Sequence, residues 1–295
     1  MGKKLLFIYN PKSGKGAVPS VLSDMIDIMV KSGFDITVRP TQQEKDAYDF
    51  TCAHAKEYDR IVACGGDGTL DEVVTAVMET EAEVEIGYIP AGSTNDFGVS
   101  LGIEGEYDKA ARIAAGDKRF RCDVGSFNSD YFVYVAAFGI FTEVSYQTSQ
   151  DLKNIFGHAA YLMEAIGQLA DVPSFHMQVE YDGNIIEDDF IYGMITNSTS
   201  VGGIKGIVSG DISLDDGVFE VTLIRTPKNP LELSEIIGYL TSILKETALV
   251  YSMQTSELKI SSEEEIPWTL DGEFGGKHDA VLIRNLPKAM EILVE

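Results

Sequence analysis

Gly65-Gly66-Asp67-Gly68-Thr69 constrains this chain more than any other stretch. It follows an apolar, strand-like run, Arg60-Ile61-Val62-Ala63-Cys64, and leads into Leu70, Val73, Val74 and Val77, which repeat at helical spacing. The glycines permit a sharp turn and close backbone approach, and a glycine turn that empties into a helix N-terminus favours bound phosphate. A bare carboxylate repels phosphate, so Asp67 makes sense where it meets a metal ion or a sugar hydroxyl. Taken alone, the turn is equally well explained as a plain strand-to-helix connection. Around it, strands at 4–9, 34–38, 60–64 and 85–89 alternate with helices at 17–32, 44–56, 70–80 and 107–115. This alternation predicts an α/β domain, a parallel sheet with helices on its faces.

Two further strand ends carry similar loops. Asn10-Pro11-Lys12-Ser13-Gly14-Lys15-Gly16 follows the first strand and offers an amide, a hydroxyl, glycines and two ammonium groups. Pro90-Ala91-Gly92-Ser93-Thr94-Asn95-Asp96-Phe97 follows the fourth. Ligands of open parallel sheets bind beyond the carboxyl ends of the strands, so three such loops argue for one composite site. The P-loop pattern fails, because Tyr9 stands where its first glycine belongs and Gly16 follows Lys15. The dinucleotide fingerprint fails at Asp71, where a glycine is required.

Beyond residue 120 the pattern changes to short alternating runs at 119–127, 130–138, 175–181, 184–196, 218–225, 257–261, 267–270 and 279–284. These predict a mainly antiparallel β-sandwich, interrupted by helices near 152–170 and 230–247. The expected domains are 1–122 and 123–295, with residues 287–295 candidates to pack back on the first. Asp216-Gly217 and Asp271-Gly272 lie between apolar runs, where a hairpin turn explains them sufficiently. An EF-hand reading fails because no glycine stands at 216.

Charge and cysteine usage limit the partners. With 23 basic and 47 acidic residues the net charge is −24, which argues against nucleic acid. A membrane-visiting protein of this charge needs a local basic face, and Lys118-Arg119-Phe120-Arg121 is the densest cluster, though a solvated turn explains it too. Cys52, Cys64 and Cys122 show no metal spacing and read as reduced thiols of a cytosolic protein. The apolar run before Asn10 is too short for a signal peptide, and the run 131–141 too short for a membrane span. The expectation is a cytoplasmic protein. Residues 131–141 and the helix bearing Ala159, Ala160, Tyr161, Leu162 and Met163 could line an apolar trough, or serve as ordinary core.

In this order, Asn10-Pro-x-Ser-Gly-x-Gly16, Gly65-Gly-Asp-Gly-Thr69 and Pro90-Ala-Gly-Ser-Thr-Asn-Asp-Phe97 resemble the diacylglycerol kinase catalytic-domain family, in its soluble bacterial form of the DgkB and YegS type. The resemblance extends through Cys122-Asp123-Val124-Gly125, residues 138–144, Asp215-Asp216-Gly217-Val218-Phe219 and Leu270-Asp271-Gly272-Glu273. NAD kinases and phosphofructokinases share the Gly-Gly-Asp-Gly-Thr element, and the resemblance implies an N-terminal domain of their kind.

It also implies ATP contacts at Asn10, Pro11, Lys12, Ser13, Gly14, Thr41, Gly66, Asp67, Gly68, Thr69, Leu70, Asp71, Glu72 and Thr94, with Asp67 tied to the nucleotide and its magnesium. Glu273 and Asp271 match an acidic pair, one of which acts as base toward a lipid hydroxyl. Ser213, Asp216 and Val218 match a structural Mg2+ turn, Asp216 through its side chain and the other two through carbonyls. The implied function is an ATP- and Mg2+-dependent kinase making phosphatidic acid from diacylglycerol during transient, peripheral membrane contact, with a homodimer left open. The alternatives are ceramide, sphingosine, phosphatidylglycerol or NAD as acceptor, or a catalytically silent nucleotide-binding module. The active site is expected between the two domains.

Overall fold

A strand covered on both faces reads as a continuous apolar run rather than an alternating one. Leu5, Leu6, Phe7 and Ile8 are all fully buried, and every residue from Arg60 to Gly65 is buried. The computed structural model describes residues 2–103, 105–140, 173–201, 204–205, 212–240 and 246–295. Contacts divide the chain into two units, Met1–Val124 with Pro287–Glu295, and Gly125–Leu286.

The first unit runs β1 (Lys3–Tyr9), α1 (Val18–Lys31), β2 (Phe34–Pro40), α2 (Asp46–His54), β3 (Arg60–Gly65), α3 (Asp67–Thr80), β4 (Glu85–Pro90), α4 (Asp96–Ser100) and α5 (Tyr107–Ala114). The sheet is parallel, in the order β2-β1-β3-β4. Ile292 adds a further parallel partner beside Ile86 of β4. The chain leaves β1 toward one neighbour and returns at β3 on the other side. Right-handed crossovers then place α1 on one face and α2 and α3 on the other. Met25 and Met29 of α1 and Ala110, Ala111 and Ala114 of α5 pack over Leu5, Phe7, Val62 and Cys64.

Two polar features hold this unit together. Arg60 is fully buried, yet its guanidinium is satisfied. It donates to Glu85 Oε2 and to the carbonyls of Ala114 (2.9 Å) and Gly116 (2.8 Å), and lies 4.7 Å from the Phe34 ring centroid. Those carbonyls close α5, where a cation is favourable. Lys45 precedes α2 in the left-handed region (φ 62°) and supplies no side-chain cap. Glu72 of α3 caps it instead, its carboxylate accepting the N–H groups of Lys45 (3.0 Å), Ala47 (3.0 Å) and Tyr48 (3.3 Å).

The second unit holds β5 (Arg119–Phe127, which starts in the first unit), β6 (Asp130–Phe132), β7 (Val135–Gly139), β8 (Phe175–Tyr181), β9 (Asn184–Thr196), β10 (Ser200–Val201), β11 (Ile204–Lys205), β12 (Phe219–Arg225), α6 (Pro230–Leu240), β13 (Val250–Thr255), β14 (Glu257–Leu270) and β15 (Glu273–Leu293, which ends in the first). Pairing follows the antiparallel path β13-β12-β9-β7-β14-β15. The long strands β9 and β14 change partners midway, each taking β8 along its first half and β7 along its second. Phe127, Phe132, Phe138, Phe190, Phe219 and Trp268 build the core, with Phe138 and Trp268 edge to face at 4.9 Å.

The structure corrects several expected elements. The run 130–138 breaks at Val133-Tyr134 into β6 and β7. Runs 257–261 and 267–270 are one strand, β14, whose bulges at Ser261/Ile266 and Pro267/Thr269 interrupt the alternation. β13 and α4 were not anticipated. The predicted helix at 152–170, with its part of the apolar trough, and residues 141–144 and 241–245 lie outside the described residues. Among the described helices none is long and apolar enough to cross a membrane.

Two outcomes follow. Burial pushes the Cys64 thiol up to about 12, whereas Cys52 is only half-buried although its thiol is also raised by burial. Iodoacetamide at neutral pH should label Cys52 in the folded protein and leave Cys64 intact until denaturant is added, read by peptide mass spectrometry. Alkylation of native Cys64 as fast as Cys52 would contradict this packing. Glu72→Ala should lower stability by about 1–2 kcal/mol in urea titration, because three amides lose their acceptor. Unchanged stability with lost nucleotide affinity would instead make Glu72 a ligand contact.

Candidate active site

The sheet reverses its direction of growth between β1 and β3, and the three glycine loops leave the carboxyl ends of β1, β3 and β4. The ladders continue into the loops: Asn10 N–H donates to the Cys64 carbonyl (2.9 Å) and Ala91 N–H to the Gly65 carbonyl (2.7 Å). Thr41 N–H, at the end of β2, donates to the Tyr9 carbonyl (2.9 Å). The glycines meet where no side chain fits. A Cβ on Gly14 (φ +55°) would stand 2.5 Å from the Ala91 oxygen, and one on Gly92 would stand 2.6 Å from Gly66 Cα. The loops therefore touch one another, and this cradle suits a phosphate chain.

Asp67 is 9% exposed at the start of α3. Its carboxylate accepts the Asp96 N–H (2.9 Å) and the Phe97 N–H (3.3 Å), tying the second loop to the third. The Tyr88 hydroxyl stands 3.4 Å away, and burial first, then the charge of Asp67, hold that phenol well above its ordinary pKa. Asn95, in the left-handed region (φ 53°), braces the third loop by accepting the Gly92 N–H (2.7 Å) and donating to the Gly92 carbonyl (3.1 Å). Tyr88 carried no sequence signal beyond an apolar strand position.

The other expected nucleotide residues divide. Ser13 is buried in the first loop, Lys12, Gly14 and Lys15 are exposed, and Pro11, Gly66, Gly68 and Thr94 are half-buried. The Asn10 side-chain oxygen accepts the Lys12 N–H (2.9 Å) and so shapes its own loop. Thr69 N–H closes the turn on the Gly66 carbonyl (3.1 Å). Leu70 is 1% exposed, which leaves only its backbone to meet a ligand. Asp71 is half-buried, and Glu72 is engaged at the start of α2.

The acidic pair of the second unit separates just as clearly. Asp271 is 4% exposed and sits at a left-handed turn (φ 49°). Its carboxylate accepts the N–H groups of Val133, Tyr134 (2.9 Å) and Val135 (2.8 Å), and its own N–H returns to the Val135 carbonyl (2.8 Å). This bond set makes the corner between β6 and β7. Glu273, two residues on, is exposed. Of the two, Glu273 is the exposed carboxylate, and Asp271 positions its hairpin.

In the turn before β12, Ser213 Oγ donates to Asp215 Oδ1 (2.8 Å) and Val218 N–H to Asp216 Oδ1 (3.2 Å). The Asn285 amide holds the Val218 carbonyl (3.1 Å), while Asn285 Oδ1 is buried without a hydrogen-bond partner among the described residues. Ser213, Asp216 and Val218 offer oxygen ligands, the kind a hard cation takes. No three His, Cys, Asp or Glu residues converge among the described residues, so such a cation would rely partly on carbonyls and water.

The basic cluster at 118–121 does not form a free cationic face. Arg119 pairs with Glu85 (2.5 Å) and Glu291 (3.4 Å), Arg121 pairs with Glu291 (3.2 Å), and Lys118 donates to the Glu295 carbonyl.

Comparison with known proteins agrees with this geometry. Residues 4–127 match the model of the diacylglycerol kinase catalytic domain, and residues 135–294 match the YegS C-terminal NAD kinase beta sandwich-like domain. A diacylglycerol kinase of Staphylococcus carnosus is 33% identical over 295 residues, covering 99% of this chain and 95% of its own. One of Staphylococcus epidermidis is also 33% identical, with 99% and 92% covered. A crystal structure of a diacylglycerol kinase from Bacillus anthracis, 21% identical, shares the fold over 100% of this chain and 97% of its own with a TM-score of 0.77. Two domain models in order and relatives matched along their length establish that the chain belongs to the diacylglycerol kinase catalytic-domain family.

Proposed function

We propose that this protein transfers the γ-phosphoryl group of ATP to the hydroxyl of diacylglycerol, yielding phosphatidic acid and ADP. The contact of three glycine loops at the ends of β1, β3 and β4, closed so tightly that Gly14 and Gly92 admit no Cβ, carries the reading. The names of the full-length relatives support the acceptor.

Phosphoryl transfer asks a protein chiefly to position reactants and to neutralise charge. Backbone amides of the loops and the exposed ammonium groups of Lys12 and Lys15 hold the phosphates. Asp67 keeps the second and third loops in register, and Asp271 keeps the hairpin of Glu273 in place. Glu273 takes the acceptor's proton as its oxygen bonds to the γ-phosphorus and the bond to the ADP oxygen breaks. Magnesium, when bound, neutralises phosphate charge, and a second ion suits the turn of Ser213, Asp216 and Val218. The acceptor is reached by peripheral contact with a lipid surface.

Glu273→Gln should reduce transfer about 10²–10⁴-fold and leave ADP affinity near wild type, compared by radiolabelled transfer and calorimetry. Normal turnover in this variant would remove Glu273 as the base. A radiolabelled ATP assay should give a product with diacylglycerol and not with ceramide, sphingosine, phosphatidylglycerol or NAD. A product from one of those alone would reassign the acceptor. No product from any, with ATP still bound, would favour the silent module.

A further inference from the structure

We infer that Glu220 is a ligand of a divalent-cation site at the start of β12, beside the turn of Ser213, Asp216 and Val218. This rests on reading that turn as a cation site, and adds a residue that no motif in the sequence marks.

Glu220 follows Val218 by two residues, and side chains two apart in a strand share a face. Phe219, Val221 and Leu223 fill the core, so Glu220 occupies the opposite face. It is nevertheless only 5% exposed. Oε1 accepts a hydrogen bond from Gln254 Nε2 (3.1 Å). Among the described residues Oε2 is buried with no hydrogen-bond partner. Directly across the sheet stands Thr196, whose hydroxyl donates to the Tyr134 carbonyl instead. Among the described residues Glu220 forms no ion pair with Lys, Arg or His, and Asp216 stands four residues before it in the chain.

The surroundings have the same imbalance. Asp216 has given one oxygen to the Val218 N–H. The Val218 carbonyl holds the Asn285 amide, whose own oxygen is buried without a partner. Two carboxylates and a carbonyl thus belong to residues 216–220, and the amide oxygen to the Asn285 that bonds Val218. A buried carboxylate with one oxygen unsatisfied is costly, and paired or metal-bound arrangements are how proteins retain one. Magnesium prefers oxygen ligands and keeps several waters, so two carboxylates and a carbonyl suffice. The chemistry points to a hard divalent cation rather than a soft one.

The test uses the full chain without nucleotide, titrated with Mn2+ as the probe, free Mn2+ being read by electron paramagnetic resonance and then displaced with Mg2+. Wild type is compared with Glu220→Gln and Asp216→Asn. Glu220→Gln retains an oxygen to accept the Gln254 bond, and its folding is checked by urea titration. The expected result is a Mn2+ site weakened about tenfold or more by either substitution and displaced by Mg2+. Glu220→Gln should also raise the melting temperature in chelator and lose that advantage in millimolar Mg2+. If Asp216→Asn removes binding while Glu220→Gln leaves it unchanged, Glu220 is no ligand, although the turn still binds a cation. If neither substitution alters Mn2+ binding, both the ligand assignment and the cation reading of the turn fall. Either result is separable from the kinase reading, which the transfer assay addresses alone.

Discussion

The amide hydrogen bonds from Asn10 to Cys64 and from Ala91 to Gly65 carry the parallel ladders past the ends of their strands into the loops. Neighbouring strands lie about 4.8 Å apart, and loops that begin with that spacing have no room for side chains between them. Gly14, Gly66 and Gly92 occupy those points of approach. The glycine content of the three loops is thus a consequence of sheet spacing as much as of ligand binding.

Carboxylates hold this framework at long range. Asp67 accepts two amides from residues 96 and 97, Glu72 three from residues 45, 47 and 48, and Asp271 three from residues 133–135. Asp123 accepts the Lys288 N–H (2.7 Å), where Lys288 is itself held in the left-handed region (φ 55°). Each joins a turn distant in the chain, and charged acceptors make the stronger hydrogen bonds. Part of the acidic excess of this chain is therefore structural. An acid flanked by glycine can order the backbone of a neighbouring loop.

Sequence alone revealed the parallel half well, because helices between strands leave continuous apolar runs such as Leu5–Ile8 and a switch to helical spacing at Leu70. The antiparallel half was legible only in pieces. Bulges in β14 shift the alternation and made one strand read as two, and the corner at Val133-Tyr134 is made by Asp271, 137 residues away from Tyr134. Candidate site residues stand out in the sequence where a motif marks them and are ambiguous where the role lies in a hydrogen-bond partner. Asp271 and Glu273 look alike as letters, yet one is buried under three amides and the other is exposed. Glu220 sits in a strand whose pattern names only its face, so its lone oxygen had no signature at all.

The first unit is discontinuous in sequence, and this bears on how it is made. Residues 1–124 lack a neighbour for the free edge of β4 until Ile292 arrives beside Ile86, and Lys118 waits for Val294 to donate to its carbonyl (3.0 Å). On the ribosome the glycine cradle is therefore synthesised first but its sheet is sealed last, after more than a hundred and sixty intervening residues have emerged. Over that interval an open strand edge is exposed to any other extended chain nearby, which makes nascent-chain protection a requirement of this topology rather than of its chemistry.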